Sequence, residues 1–119
     1  MTEAATVRLS IGGEESDATG GRTFTRNNPM TGEPATKAAA AGVEDAKRAA
    51  EAAGKAAEAW GQTGPNARRR LLNAAAAELE ARADDFVAAM MGETGSTEGW
   101  ARFNLMLATG MVREAAAPH

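Results

Sequence analysis

The sequence has no cysteine, so a disulfide scaffold, a zinc ribbon and a thiol enzyme are all excluded for these 119 residues. Histidine occurs once, as His119 at the last position, which leaves no internal imidazole for general base work or metal ligation. No apolar run approaches the roughly 18–20 residues needed to span a bilayer, and Met1-Thr2-Glu3 lacks the basic start of a signal peptide. A soluble, cytoplasmic chain with no membrane partner is expected. Positive charge is not in excess either. Against 16 Asp+Glu stand 13 Lys+Arg, a net charge of −3, which argues against nucleic acid as a partner. The length suits one domain and is too short for two.

Large apolar side chains are scarce as well. Hydrophobic residues make up 44% of the chain, but 30 of them are alanine, and Leu, Ile, Val and Phe together number only 14. That is below the roughly 20% associated with a self-sufficient core, while the low net charge argues against simple disorder. Buried apolar area contributes about 25 cal/mol per Å², and alanine offers little of it. Such a chain is expected to pack against something larger.

What is present falls into two stretches. Residues 1–41 read as extended and turn-rich. Val7, Leu9 and Ile11 alternate with Arg8 and Ser10 as a short strand, and Arg22-Thr23-Phe24-Thr25-Arg26 forms a second extended piece. A hairpin between the two, with a polar connection carrying Glu14, Glu15 and Asp17, is the expectation. Asn28-Pro29-Met30-Thr31-Gly32-Glu33-Pro34 is a turn, and Ala35 to Ala41 is ambiguous between strand and helix.

From Gly42 the period becomes helical, with three helices expected over 42–119. Val43, Ala46, Ala50, Ala53, Ala57 and Trp60 share one stripe, with Glu44–Arg48 and Glu51–Lys55 as i,i+4 pairs outside it. The second helix runs from Pro65 to about Met91 on a stripe of Leu72, Ala75, Leu79, Ala83, Phe86 and Met90. The third runs from about Thr97 to Ala117, with Ser96 as its expected cap and Pro118 as its stop. Trp100, Phe103, Asn104, Leu107 and Met111 share one of its faces.

Few motifs carry chemistry. Arg68-Arg69-Arg70 could grip an anion, but no aromatic interleaves it and a solvated or ion-paired face is favoured. No GxGxxG or GxxxxGK[ST] occurs, so Gly12-Gly13 and Gly20-Gly21 read as turns. Glu14/Glu15 and Asp84/Asp85 have no apolar pocket to raise a pKa and read as surface charge. The Trp100/Phe103/Leu107/Met111 stripe reads on spacing as core, with an apolar ligand pocket as the alternative.

Five pieces occur in a telling order: the Asn28–Glu33 turn, the Val43–Trp60 helix, Arg69-Arg70-Leu71-Leu72, Glu80-Ala81-Arg82 and Glu93-Thr94-Gly95. In that succession the chain resembles the N-terminus of an aldehyde dehydrogenase. Gly95 to Asn104 and Arg113-Glu114-Ala115-Ala116 are similar to the branch acting on aromatic aldehydes, the salicylaldehyde and vanillin dehydrogenases. The resemblance implies an α/β fold of which these residues form the N-terminal part, a β-hairpin followed by three mainly helical segments, incomplete without the dinucleotide-binding domain. Residues 1–41 would be extended strands and turns, and 42–119 helices of the N-terminal part of the cofactor-binding domain.

In that family a cysteine nucleophile attacks the aldehyde, hydride passes to NAD or NADP, and water assisted by a glutamate releases the acid. The cysteine, the glutamate and the dinucleotide loop all lie beyond His119, so these residues should be inactive alone and bind no cofactor alone. The tryptophan matching Trp100 lies on the wall of the substrate channel in the aromatic branch. The resemblance therefore implies substrate binding by Trp100, with Phe103, Asn104 and Leu107 behind it. It also implies a homodimer or tetramer for the complete enzyme. The alternative is a free-standing helical interaction module with no enzymatic activity, which the small number of large apolar residues disfavours.

Overall fold

The computed structural model describes residues 3–117. The fold is α/β: five short strands, then four helices. The strands are β1 (Ala5–Val7), β2 (Leu9–Ile11), β3 (Glu14–Ser16), β4 (Thr23–Asn27) and β5 (Pro34–Ala39). The helices are α1 (Val43–Gln62), α2 (Pro65–Ala81), α3 (Ala83–Thr94) and α4 (Glu98–Ala116). The chain divides into two compact units after Gln62, so α1 groups with the strands.

In the first unit the strands pair otherwise than the alternation suggests. Leu9–Ile11 turns back on Glu14–Ser16 rather than on residues 22–26. The cause is the glycine pair between them. Gly12 and Gly13 have φ of 63° and 82°, the two left-handed positions of the tightest hairpin turn, which closes the strand on its nearest neighbour. The acids Glu14 and Glu15 thus lie in a strand, not a connection. β4 pairs antiparallel with β5, and β1 pairs parallel with β5 on the other side, giving the order β1-β5-β4. Pairing on both edges resolves the ambiguity of the alanine-rich stretch after Pro34 as strand.

The Asn28–Glu33 turn is built from its own side chains. Asn28 Oδ1 accepts from the Met30 N–H at 2.8 Å, and the Asn28 carbonyl accepts from Gly32 N–H at 2.7 Å. Gly32 supplies φ 76°, and Thr31 Oγ1 accepts from the Glu33 N–H at 3.2 Å.

α1 is fixed at its start by Asp45, the third residue of the helix, whose side chain is buried. Its carboxylate accepts from the Gly42 N–H at 2.9 Å, from the Thr19 N–H and hydroxyl, and from Arg48 Nη2 at 2.7 Å. The reach back to Gly42 is the carboxylate half of a capping box. Arg48 accordingly turns to Asp45, and Glu44 pairs with Lys47 at 3.1 Å in place of the expected Glu44–Arg48 pair.

In the second unit α2 and α3 both pack on α4. The stretch expected as one helix from Pro65 to Met91 breaks at Arg82, where φ is −105° and ψ 23°. No glycine or proline marks the place. Asp84 and Asp85 thereby enter a first helical turn, where carboxylates are favoured. α3 ends at Thr94, whose hydroxyl donates to the Met90 carbonyl at 2.7 Å, with Gly95 at φ 69° closing the cap. The cap of α4 is Thr97, one residue after the expected Ser96, because its Oγ1 accepts from the Trp100 N–H at 3.3 Å. The expected stop at Pro118 lies outside the described residues, as does His119.

Among the described residues the buried apolar side chains are Ala18, Ala76, Val87, Ala101 and Ala116. Four of the five are alanine, which is the thin core that the composition implies. The chain exposes 8545 Å². A folded monomer of 12.2 kDa exposes about 6,000 Å², and two separate globules of half that mass about 7,300 Å².

Candidate functional site

Packing against α2 and α3 decides which side chains of α4 face out. Ala101, Thr109 and Ala116 are buried on the side that meets α2 and α3. The helical repeat puts Trp100, Phe103, Asn104 and Leu107 on the opposite side, followed by Met111. Trp100 is 56% exposed, Phe103 44% and Leu107 49%. The stripe is therefore not the core of this unit.

The four residues are brought together on one face. The rings of Trp100 and Phe103 stack with centroids 5.5 Å apart and planes inclined by 30°. Asn104 is half-buried and donates its amide N–H to the Trp100 carbonyl oxygen at 2.8 Å. Leu107 stands one turn further on. The arrangement is an apolar stripe with an indole at one end and a single amide along its edge. It can stack against an aromatic ligand, but it holds no nucleophile, acid or base.

The N-terminal turn of α4 is anchored by Arg102. Its guanidinium bonds Asp84 of α3 at 3.0 Å and Glu98 of its own helix at 2.8 Å. Asp84 first, then Glu98, push the guanidinium pKa up, so its charge is fixed. At the other end Arg113 meets Glu80 of α2 at 2.9 Å, and Arg69 Nε donates to the Ala116 carbonyl at 3.0 Å. A cation at a helix C-terminus is favourable, so Arg69 of the arginine run has an internal partner. Sequence inspection missed the links to Asp84, Glu80 and Ala116 because those pairs are separated by 18 to 47 residues.

Behind α4 lies a cleft of about 200 Å³ lined by Glu80, Ala83, Arg102, Leu105, Met106 and Thr109, on the face opposite Trp100. Its charged members are engaged in the ion pairs just described. Asp84 and Asp85 bond Arg102 and Arg82, which agrees with surface charge in place of general acid and base. Among the described residues no group of three or more His, Cys, Asp or Glu could hold a metal ion. No helix among them is long and apolar enough to cross a membrane.

Several known proteins share this architecture. The model of the aldehyde dehydrogenase family matches residues 16–118. The chain is 49% identical over 111 residues to a vanillin dehydrogenase of Pseudomonas fluorescens, covering 93% of this chain and 23% of that protein. The crystal structure of a salicylaldehyde dehydrogenase from Pseudomonas putida G7, complexed with salicylaldehyde, superposes with a TM-score of 0.91 at 37% identity, over 94% of this chain and 23% of that one. An NAD-dependent benzaldehyde dehydrogenase from Corynebacterium glutamicum superposes with a TM-score of 0.85 at 30% identity, over 90% of this chain and 23% of that one. The chain thus spans about a quarter of the length of these relatives. Each of them is a dehydrogenase, which gives no support to a free-standing interaction module. The motifs that suggested the resemblance are the structural devices described above: the Asn28 turn, the Glu80–Arg113 link and the Thr94-Gly95 cap. From the family match and these relatives together, the chain belongs to the aldehyde dehydrogenase family.

Proposed function

We propose that this chain is the N-terminal part of an NAD(P)-dependent aldehyde dehydrogenase that oxidises an aromatic aldehyde to its carboxylic acid. Trp100, Phe103, Asn104 and Leu107 form one wall of its substrate site. The observation that carries this is the exposed Trp100–Phe103 stack on the side of α4 that its own unit leaves uncovered. The names of the vanillin, salicylaldehyde and benzaldehyde dehydrogenases support an aromatic substrate.

NAD or NADP, when bound, accepts the hydride. The residues of this chain do not fit that cofactor. It has no glycine-rich phosphate loop, and the N–H of Gly42 at the start of α1 already donates to Asp45. The nucleophile must also come from elsewhere, since cysteine is absent. What this chain contributes is position: Arg102, Arg113 and Arg69 hold α4, and α4 presents the aromatic face that binds and orients the substrate ring. A cytoplasmic homodimer or tetramer belongs to the same proposal.

The test is to read the source DNA past the codon for His119. The proposal expects a frame of several hundred further codons that includes a cysteine nucleophile and a glycine-rich βα turn. The protein it encodes should reduce NAD+ or NADP+ with benzaldehyde. A stop codon directly after His119, or a complete protein inert toward aldehydes, would contradict it.

A further inference from the structure

α4 has little on its inner side to wedge it in place. Its buried residues Ala101, Thr109 and Ala116 are small, and beside them the cleft of about 200 Å³ opens between α4 and the junction of α2 with α3. Side chains facing a void make fewer packing contacts, so the seating of α4 depends more on bonds at its rim. Near Trp100 that bond is Arg102 Nη2 to Asp84 of α3 at 3.0 Å, with Glu98 holding the same guanidinium through Nε at 2.8 Å. At the far end α2 supplies two bonds, Glu80 to Arg113 and Arg69 to the Ala116 carbonyl, the second to an uncharged partner. Arg102 is half-exposed and Asp84 almost fully exposed, so dissolved ions reach their pair freely.

We infer that Arg102 and Asp84 are positioning residues for the aromatic face, and that salt, by screening their ion pair, unseats Trp100 and Phe103 from the substrate ring. The inference rests on the proposal that this face of α4 lines the substrate site. Only the seated fraction of the enzyme binds the ring well, so apparent affinity falls in proportion to that fraction. A network of exposed charges shifts such an equilibrium by about fivefold at most, which bounds the effect. An uncharged aldehyde has no electrostatic steering of its own to lose, so a salt effect on its KM comes through the protein.

The complete dehydrogenase is assayed with benzaldehyde at saturating NAD+ or NADP+ from about 10 mM to 1 M NaCl, over which the screening length falls from about 30 Å to 3 Å. KM for benzaldehyde is expected to rise roughly two- to fivefold, with kcat and KM for a short aliphatic aldehyde nearly unchanged. Asp84→Asn and Arg102→Met remove the pair from opposite helices. Both are expected to start at the raised KM and to stay there at every salt concentration. Glu80→Gln, at the end that keeps Arg69 as a second tether, is expected to retain the wild-type response. A flat wild-type profile overturns the inference, and so does a response that survives in Asp84→Asn and Arg102→Met or is lost equally in Glu80→Gln. Trp100→Ala separates the two levels. If it leaves KM for benzaldehyde where it was, the wall itself is misassigned and the inference falls with it. If it raises that KM while the wild-type profile is flat, the wall stands and only the role of the ion pair is lost.

Discussion

Asp45 is the residue on which the first unit turns. Its carboxylate gathers the start of α1, the 3-10 turn at Thr19–Gly21 and Arg48. The Gly42 N–H, then Arg48 and Thr19, hold its carboxyl well below the usual Asp range, against a smaller opposing effect of burial. The folded pKa is depressed, so the stabilisation is complete above the ordinary Asp value of about 3.9 and is lost as pH falls from there toward the folded value. Asp45→Asn should therefore unfold at lower denaturant at pH 7, and its unfolding midpoint should change less than wild type's between pH 4 and pH 2. A variant as acid-sensitive as wild type would contradict this role. In the sequence Asp45 is legible only as a first-turn acid, because its partner Thr19 lies 26 residues away. Gly95 is a plainer case. At φ 69° an L side chain is strained, and Gly95→Ala should cost about 1–2 kcal/mol by denaturant titration.

At the scale of elements, boundaries with a local cause could be read and those set by distant pairing could not. The Asn28–Glu33 turn, the helix start at Pro65 and the Thr94-Gly95 end each rest on residues within a few positions of one another. Strand partners were misread because alternation says that a strand exists and is silent on what it pairs with; the Gly12-Gly13 turn was the cue. The break at Arg82 carries no breaker residue, so the stripe from Leu72 to Met90 runs across it unmarked. The candidate face of α4 was legible as a stripe, since spacing alone puts Trp100, Phe103, Asn104 and Leu107 together. Which way it points was not, because that depends on Ala101 and Thr109 meeting the other helices. Two predictions follow for α4. Thr97→Ala removes the cap and should cost about 1 kcal/mol. Ala101→Leu overfills the buried side and should cost roughly 1–3 kcal/mol in thermal or denaturant unfolding. A near-neutral Ala101→Leu would mean that the buried and exposed faces of α4 are assigned the wrong way round.

For the whole molecule the governing fact is exposure. Val43 and Trp60 on α1, Leu71 and Phe86 on α2 and α3, and the Trp100 stripe on α4 all stand open, while the core is mostly alanine. Alanine-faced helices pack closely on a neighbour but bury little by themselves, which agrees with a chain spanning about a quarter of its relatives' length. Composition alone made that dependence legible. The proposed reaction rests on resemblance, since these residues include no cysteine nucleophile and no glycine-rich phosphate loop. The central claim is that the outward face of α4 meets the substrate ring, and Trp100→Ala in the complete enzyme tests it most directly. Losing the ring contact, worth about 0.5–1.5 kcal/mol beyond its area, should raise KM for benzaldehyde at least several-fold and leave KM for a short aliphatic aldehyde nearly unchanged. Equal effects on both aldehydes, or none on either, would contradict it.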